Sequence, residues 1–248
     1  MRAANNQRNI MNADPEFERF QAFINCQLKP SRTGDAAPPE LRRWRAVTIS
    51  RQTGCGAKAI ADDLAEYLQS HSGRNAQPWM VFDRNLVEKV LEEHNLPASM
   101  ANYMKEDRIS ELEDIMEELF GLHLPKWLLV RKTSETILHL ANLGHAILIG
   151  RGSNIITSKL PFVFHIRLIG SLDKRVERLR QERRQGEKAA LQFIRAEDNA
   201  RRRYLKKYFG RNADDPMLYH LVINTDLVSS ETAAAMIGGA VLENAAGK

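Results

Sequence analysis

The sequence predicts an α/β domain, a five-stranded parallel sheet wrapped by helices, and three observations carry that expectation. Short β-rich apolar runs alternate with helical stripes along most of the chain. A glycine-rich turn, SRQTGCGAKA (50–59), joins the first such run to the first stripe. The 248 residues, 43% of them hydrophobic, suffice for one such domain plus an extension.

The elements follow in order. Residues 1–12 are polar, and Phe17, Phe20, Phe23 and Ile24 recur at helical spacing after Asp14-Pro15, which predicts a helix over about 14–28. KPSRTGDAAPPE then reads as a linker, so residues 1–43 form an extension and the main domain spans 44–248. AVTIS (46–50) is the first strand, and Ile60, Leu64 and Leu68 stripe the helix after the glycine turn. WMVF (79–82), AILI (146–149), FVFHIRLI (162–169) and Leu221–Ile223 supply the other strands. Helices are predicted from Leu86, around the acidic stripe Ile109, Leu112, Met116 and Leu119, over 134–143, around Leu172, Val176 and Leu179, and over about 231–242.

Composition removes several classes of function. Cys26 and Cys55 make no disulfide framework, and the seven histidines show no metal-ligand spacing. No apolar run approaches the roughly 18 residues of a membrane span, and the N-terminus lacks a secretion-signal core, so the cytoplasm is the expected compartment. Net charge is +5, unevenly spread. Residues 88–118 hold ten acids against three bases, whereas residues 167–211 hold fifteen bases against six acids. One region repels phosphate and the other attracts it.

The glycine turn invites comparison with the phosphate-binding loop, Gly-x-x-x-x-Gly-Lys-Ser/Thr, whose backbone N–H groups cradle phosphates at a helix N-terminus. Gly56 stands at the second glycine, Arg51 replaces the first, Ala57 holds the lysine position, and the lysine comes one place late as Lys58. Ala59 offers no hydroxyl to a metal. A plain glycine-rich strand-to-helix turn is the bland alternative.

Four ordered blocks favour the functional reading. VTISRQTGCGAKAIA (47–61), FDRNLV (82–87), GHAILIGRGSNII (144–156) and GRNADDPMLYHLVINTD (210–226) resemble the cytidylate-kinase-like family, P-loop relatives of the nucleoside-monophosphate kinases. The resemblance covers about 44–242 and implies a P-loop fold with a helical acceptor-binding insert (about 84–130) and a lid (about 171–211). It implies ATP and Mg²⁺ as cofactors, and phosphoryl transfer to a nucleoside monophosphate or another small acceptor. Residues 51–59 (Arg51, Thr53, Gly54, Cys55, Gly56, Ala57, Lys58 and Ala59 among them) would hold the donor. Asp83, Arg84 and Arg151 would meet the acceptor, and Lys58, Arg151, Arg175 and Arg178 would act on the transferring phosphoryl group. With Ala59 unable to ligate Mg²⁺, Ser50, Thr53 or Asp83 is left to do so. Cytidylate kinases resemble the Gly150-Arg151 pair with an aspartate following, where this chain has Gly152. Cytidine recognition is therefore not implied at that position.

Two rival readings come from other classes. A nucleotide-binding regulatory module would keep the glycine cradle without catalysis, consistent with Ala57 and Ala59. A nucleic-acid-binding surface would use the bases of 198–209 interleaved with Tyr204, Tyr208 and Phe209, although a basic patch alone is only an electrostatic footprint. The acidic segment 105–118 reads as a solvated face, and Cys55 as a small filler.

Overall fold

A computed structural model describes residues 44–72, 77–83 and 125–243. The N-terminal extension, Arg84 and residues 84–124 of the expected insert lie outside the described residues. Strands β1 (Ala46–Arg51), β2 (Met80–Phe82), β3 (Ala146–Ile149), β4 (Val163–Ile169) and β5 (Leu221–Asn224) form one sheet in the order β2-β3-β1-β4-β5. Every pairing is parallel. Helices α1 (Ala57–Ser70), α2 (Pro125–Leu143), α3 (Ser153–Ile156), α4 (Leu172–Arg183), α5 (Glu187–Phe209) and α6 (Ser230–Glu243) connect and cover it.

The run AVTIS lies at the centre of the sheet because both of its faces are covered: Ala46 through Ser50 are all buried. Such strands read as continuous apolar runs because helices pack on both sides. On one face Val47, Ile49, Ile147, Ile166, Leu168 and Ile223 meet Ile60, Leu64 and Leu68 of α1 and Ala233, Ile237 and Val241 of α6. Each large aliphatic side chain buried there contributes roughly 1.5–3 kcal/mol. The other face carries a polar seam along β1 and β4. Thr48 Oγ1 lies 2.8 Å from His165 Nδ1, and Arg167 donates to Ser50 Oγ at 3.0 Å. Burial, and after it the charge of His220, pulls the His165 pKa down to about 4, so this ring is neutral.

Parallel order places the C-terminal ends of all five strands on one rim. Connections leave β1 toward β2 on one side, and β4 lies on its other side. Loops at such a switch point form the ligand crevice of open α/β sheets. The loop after the central strand is the glycine turn.

Helices α4 and α5 form a basic antiparallel pair. The Ser171 side chain caps α4 by accepting from the Lys174 N–H. The expected apolar stripe exists, but Val176 and Leu179 close on Ala190 and Ile194 of α5 and make a small core of their own. No helix among the described residues is long and apolar enough to cross a membrane.

Candidate functional site

The loop between β1 and α1 is shaped by two glycines. Gly54 (φ 84°) and Gly56 (φ 69°) take the left-handed conformation on either side of buried Cys55. That conformation costs residues with a Cβ roughly 1–2 kcal/mol. At Gly54 there is also no room: a Cβ would sit 2.6 Å from the Arg175 carbonyl oxygen. Gly56 opens α1 with no side-chain cap. Among the described residues, the N–H groups of Gly54, Gly56, Ala57, Lys58 and Ala59 reach no protein acceptor. Unpaired N–H groups at a helix N-terminus next to left-handed residues form an anion seat, strengthened by the positive end of the helix dipole.

Three arginines hold the outer side of this loop by its carbonyl oxygens. Arg201 donates to the Arg51 carbonyl at 3.1 Å, Arg175 to that of Thr53 at 3.1 Å, and Arg178 to that of Gly54 at 2.7 Å. Arg178 also donates to the Thr225 carbonyl at 3.2 Å, tying the loop to the segment after β5. Arg175 and Arg178, expected to act from the lid, both pin the loop in this structure, and Arg175 is 7% exposed. They face the loop because α4 packs its Val176 and Leu179 edge on α5 and turns the neighbouring edge toward β1.

Lys58 points away from the loop in this structure. It forms an exposed ion pair with Asp62, one turn along α1, at 2.6 Å. One helical residue is a rotation of about 100°, so the late lysine leaves the loop axis and finds its i+4 acid instead. Thr53 is also committed: its N–H and its hydroxyl both donate to Asp198 Oδ1 at 2.8 Å. Ser50 accepts from Arg167 and from the Tyr219 hydroxyl. The two hydroxyls named as candidate metal ligands therefore have other partners. Burial pushes the Cys55 thiol pKa up, in keeping with a filler. Ala57 is half-buried and Ala59 exposed.

A second cationic group faces this loop from β3. Gly150 (φ 80°), Arg151 (φ 56°) and Gly152 (φ 73°) are three successive left-handed residues. A Cβ at Gly150 would fall 1.8 Å from an Arg51 guanidinium nitrogen, so the glycine lets Arg51 lie against the turn. Burial, and after it the charge of Arg201, draws the Arg51 pKa down to about 10; Asp83 and Glu197 pull the other way, and Arg151 adds to the lowering. Arg51, Arg151, Arg201 and Asp83 thus share one electrostatic neighbourhood at the rim. Gly152 has its own reason. A Cβ there would meet Phe209 at 3.0 Å and Leu205 at 3.2 Å, so an aspartate at this position would sit in the left-handed region and would press on both side chains.

Three residues of the site carried no mark in the sequence reading. Asp198 gathers Thr53, Arg175 and Arg201; Arg201 holds Arg51; and Arg167, 5% exposed, pairs with Asp214 at 2.6 Å. Asp198 and Arg201 are spaced i, i+3, which on sequence looks like a solvated helix pair. A cleft of about 420 Å³ opens beside the loop, lined by Gln52, Arg167, Gly170, Asp214 and Asn224. It includes neither the left-handed glycines nor the start of α1, so it is not the anion seat.

The aromatics of α5 turn inward. Phe209 packs on Gly152, and Tyr204 lies 5.1 Å from Tyr208 and 5.8 Å from Phe209, ring centre to ring centre. Burial pushes the Tyr204 pKa up to about 12. Tyr204 and Phe209, packed partly buried against Ile155, Leu205 and Ala213, are not laid out as an open base-stacking platform.

The sequence profile of the cytidylate kinase-like family matches residues 46–227. No curated protein matches the chain. Among solved structures, an uncharacterized protein from Eubacterium ventriosum is similar at 20% identity and a TM-score of 0.62, over 81% of this chain and 99% of that one. A shikimate kinase from Bacteroides thetaiotaomicron is similar at 11% identity and a TM-score of 0.46, over 80% and 98%. A gluconokinase from Sinorhizobium meliloti is similar at 12% identity and a TM-score of 0.36, over 83% and 94%.

Proposed function

Because the chain belongs to the cytidylate kinase-like family, we propose that it transfers a phosphoryl group from ATP to a small anionic acceptor, a nucleoside monophosphate or a molecule of similar charge. One observation carries this reading: the unpartnered N–H groups of Gly54 and of Gly56 to Ala59, among the described residues, at the end of the central strand. In the reaction these groups hold the donor phosphates, and α1 lends its positive end. Arg51 and Arg151 meet the acceptor across the rim. Arg178, tied to Gly54, neutralises charge on the transferring group. Phosphoryl transfer asks for little covalent work from protein and much positioning and neutralisation, which these groups can supply.

Mg²⁺ fits this set at Asp83, the half-buried carboxylate at the C-terminal end of β2. Such ions are commonly held by one or two carboxylates together with substrate phosphates. If bound there, the ion would be held by Asp83 and would supply positive charge against the donor phosphates. With Gly152 in place of an acid, a cytidylate would have to be recognised by other residues. The acceptor class is accordingly defined here by charge.

An ATP-consumption screen with Mg²⁺, over nucleoside monophosphates and small hydroxylated acceptors, tests the proposal. Turnover with one acceptor class, abolished in Arg151→Ala, is the expected result. ATP binding without turnover on any acceptor would instead mark a nucleotide-binding regulatory module.

A further inference from the structure

One buried carboxylate has no part in the chemistry above. Asp198, on α5, is 8% exposed and 145 residues from Thr53 in sequence. Its Oδ1 accepts the Thr53 N–H, the Thr53 hydroxyl and Arg201 Nη1, each at 2.8 Å, and its Oδ2 accepts Arg175 Nη1 at 2.7 Å. Burial alone would raise the carboxyl pKa, but the two Thr53 bonds, Arg175 and Arg201 hold it below the usual aspartate range. Both guanidiniums continue into loop backbone, Arg175 to the Thr53 carbonyl and Arg201 to the Arg51 carbonyl.

We infer that Asp198 is the positioning residue that sets the glycine loop, joining the basic helix pair to the anion seat as one unit. The geometry gives the reason. A loop presents convergent N–H groups only if its carbonyl oxygens are held elsewhere, and here two of the three arginines that hold them are themselves oriented by this carboxylate. Asp198 neutralises part of their charge, without which two guanidiniums would crowd each other beside Arg51. It also fixes Thr53, the residue just before the first left-handed glycine. A shift of α5 is thereby transmitted to the loop through Asp198 and the Arg201 that it orients. This inference rests on the phosphate-binding reading for its consequence, but not for its geometry.

Two measurements on the full chain separate these. Amide hydrogen exchange across residues 50–60 reads the loop without any nucleotide. In Asp198→Ala, exchange there should quicken by about tenfold or more while the sheet core keeps its protection, as expected when a local clamp is removed. Titration with a fluorescent ATP analogue should show affinity falling by about tenfold, since the loop must then be ordered on binding. Asp198→Asn keeps an acceptor for the Thr53 N–H and should rescue part of both effects; if the alanine variant does not fold, the asparagine variant carries the test. Unchanged loop exchange in the variants overturns the inference. So does tighter nucleotide binding, which would mean that the carboxylate competes for the seat. If the wild type binds no nucleotide, phosphoryl transfer fails as the function, and the exchange result still decides the role of Asp198.

Discussion

The glycine loop and the basic helix pair are the two regions that the proposed phosphoryl transfer would use, and they are built in opposite ways. In the loop the useful groups are backbone: N–H groups exposed by two left-handed glycines, with the nearby lysine turned outward to Asp62. In the helix pair the conspicuous groups are side chains, yet Arg175, Arg178 and Arg201 direct guanidinium N–H groups at the loop's carbonyl oxygens. Positive charge near a phosphate site therefore has two uses. Some of it meets the ligand, and some holds the backbone that does. A count of bases cannot separate them; burial and partners can.

The largest expected effect comes from removing the backbone freedom of the loop. Gly54→Ala would place a methyl 2.6 Å from a backbone oxygen at a φ of 84°. Nucleotide binding should be lost and stability should fall by more than about 2 kcal/mol, the left-handed cost plus the clash. Gly186, between α4 and α5, is the internal control: nothing lies within 4 Å of a Cβ there, and φ is −68°. Gly186→Ala, at the N-cap of α5, should cost no more than about 1 kcal/mol. Equal losses at both glycines in thermal melts would erase the distinction between the regions.

Next in size is Arg175→Ala, which sharpens the comparison inside the helix pair. Arg175 and Asp198 are both about nine-tenths buried, and breaking such a pair costs about 3–5 kcal/mol. The lower end is expected, because Asp198 keeps Arg201 and Thr53. Arg178 is half-buried and, among the described residues, donates to a loop carbonyl and to Thr225. Its alanine variant should unfold close to wild type and lose mainly kcat, by about 10²-fold if it meets the transferring phosphoryl group. A chemical denaturation curve for each variant, set beside its kcat, distinguishes scaffold from chemistry.

A smaller effect lies in acid. The Asp198 pKa is lower folded than unfolded. Its contribution is therefore complete above the ordinary aspartate value and is lost as pH falls through the folded value. Wild type should lose stability more steeply than Asp198→Asn below the usual carboxylate range, and the two curves should run parallel near neutrality. Parallel curves throughout that acid range would mean that this carboxylate is not held as its four bonds imply.

Much of this was legible in the sequence, and the rest was hidden for definite reasons. The five strands fall within a residue of the apolar runs, because fully covered strands leave continuous hydrophobic stretches bounded by turns. The glycine loop and the Gly150-Arg151-Gly152 turn were visible because only glycine explains such spacing. Asp198 was not, because its partners lie 145 and 23 residues away and its own neighbourhood reads as solvated helix. The burial of Arg175 is hidden for the same reason, since helical spacing says which side chains share a face but not what that face meets. The Lys58 pairing did leave a trace: Asp62 stands at i+4 on a helix whose start was already placed.

That pairing sets the smallest expected effect. An exposed i, i+4 ion pair stabilises a helix by about 0.3–0.5 kcal/mol at most, and a lysine placed N-terminal to its acid is the weaker order. Both side chains here are half-exposed or more, at 56% and 50%. Lys58→Ala should thus change the melting curve barely at all. If the loop works through its backbone, nucleotide affinity should also change by less than about threefold, well under the tenfold that 1.4 kcal/mol represents. Calorimetric titration with ATP decides it. A loss of tenfold or more would bring Lys58 back into the cradle, and the flexible four-carbon stem would have to leave Asp62 and curl toward the loop on binding. The two regions would then differ less than their resting contacts suggest, since each would lend at least one side chain to the ligand itself.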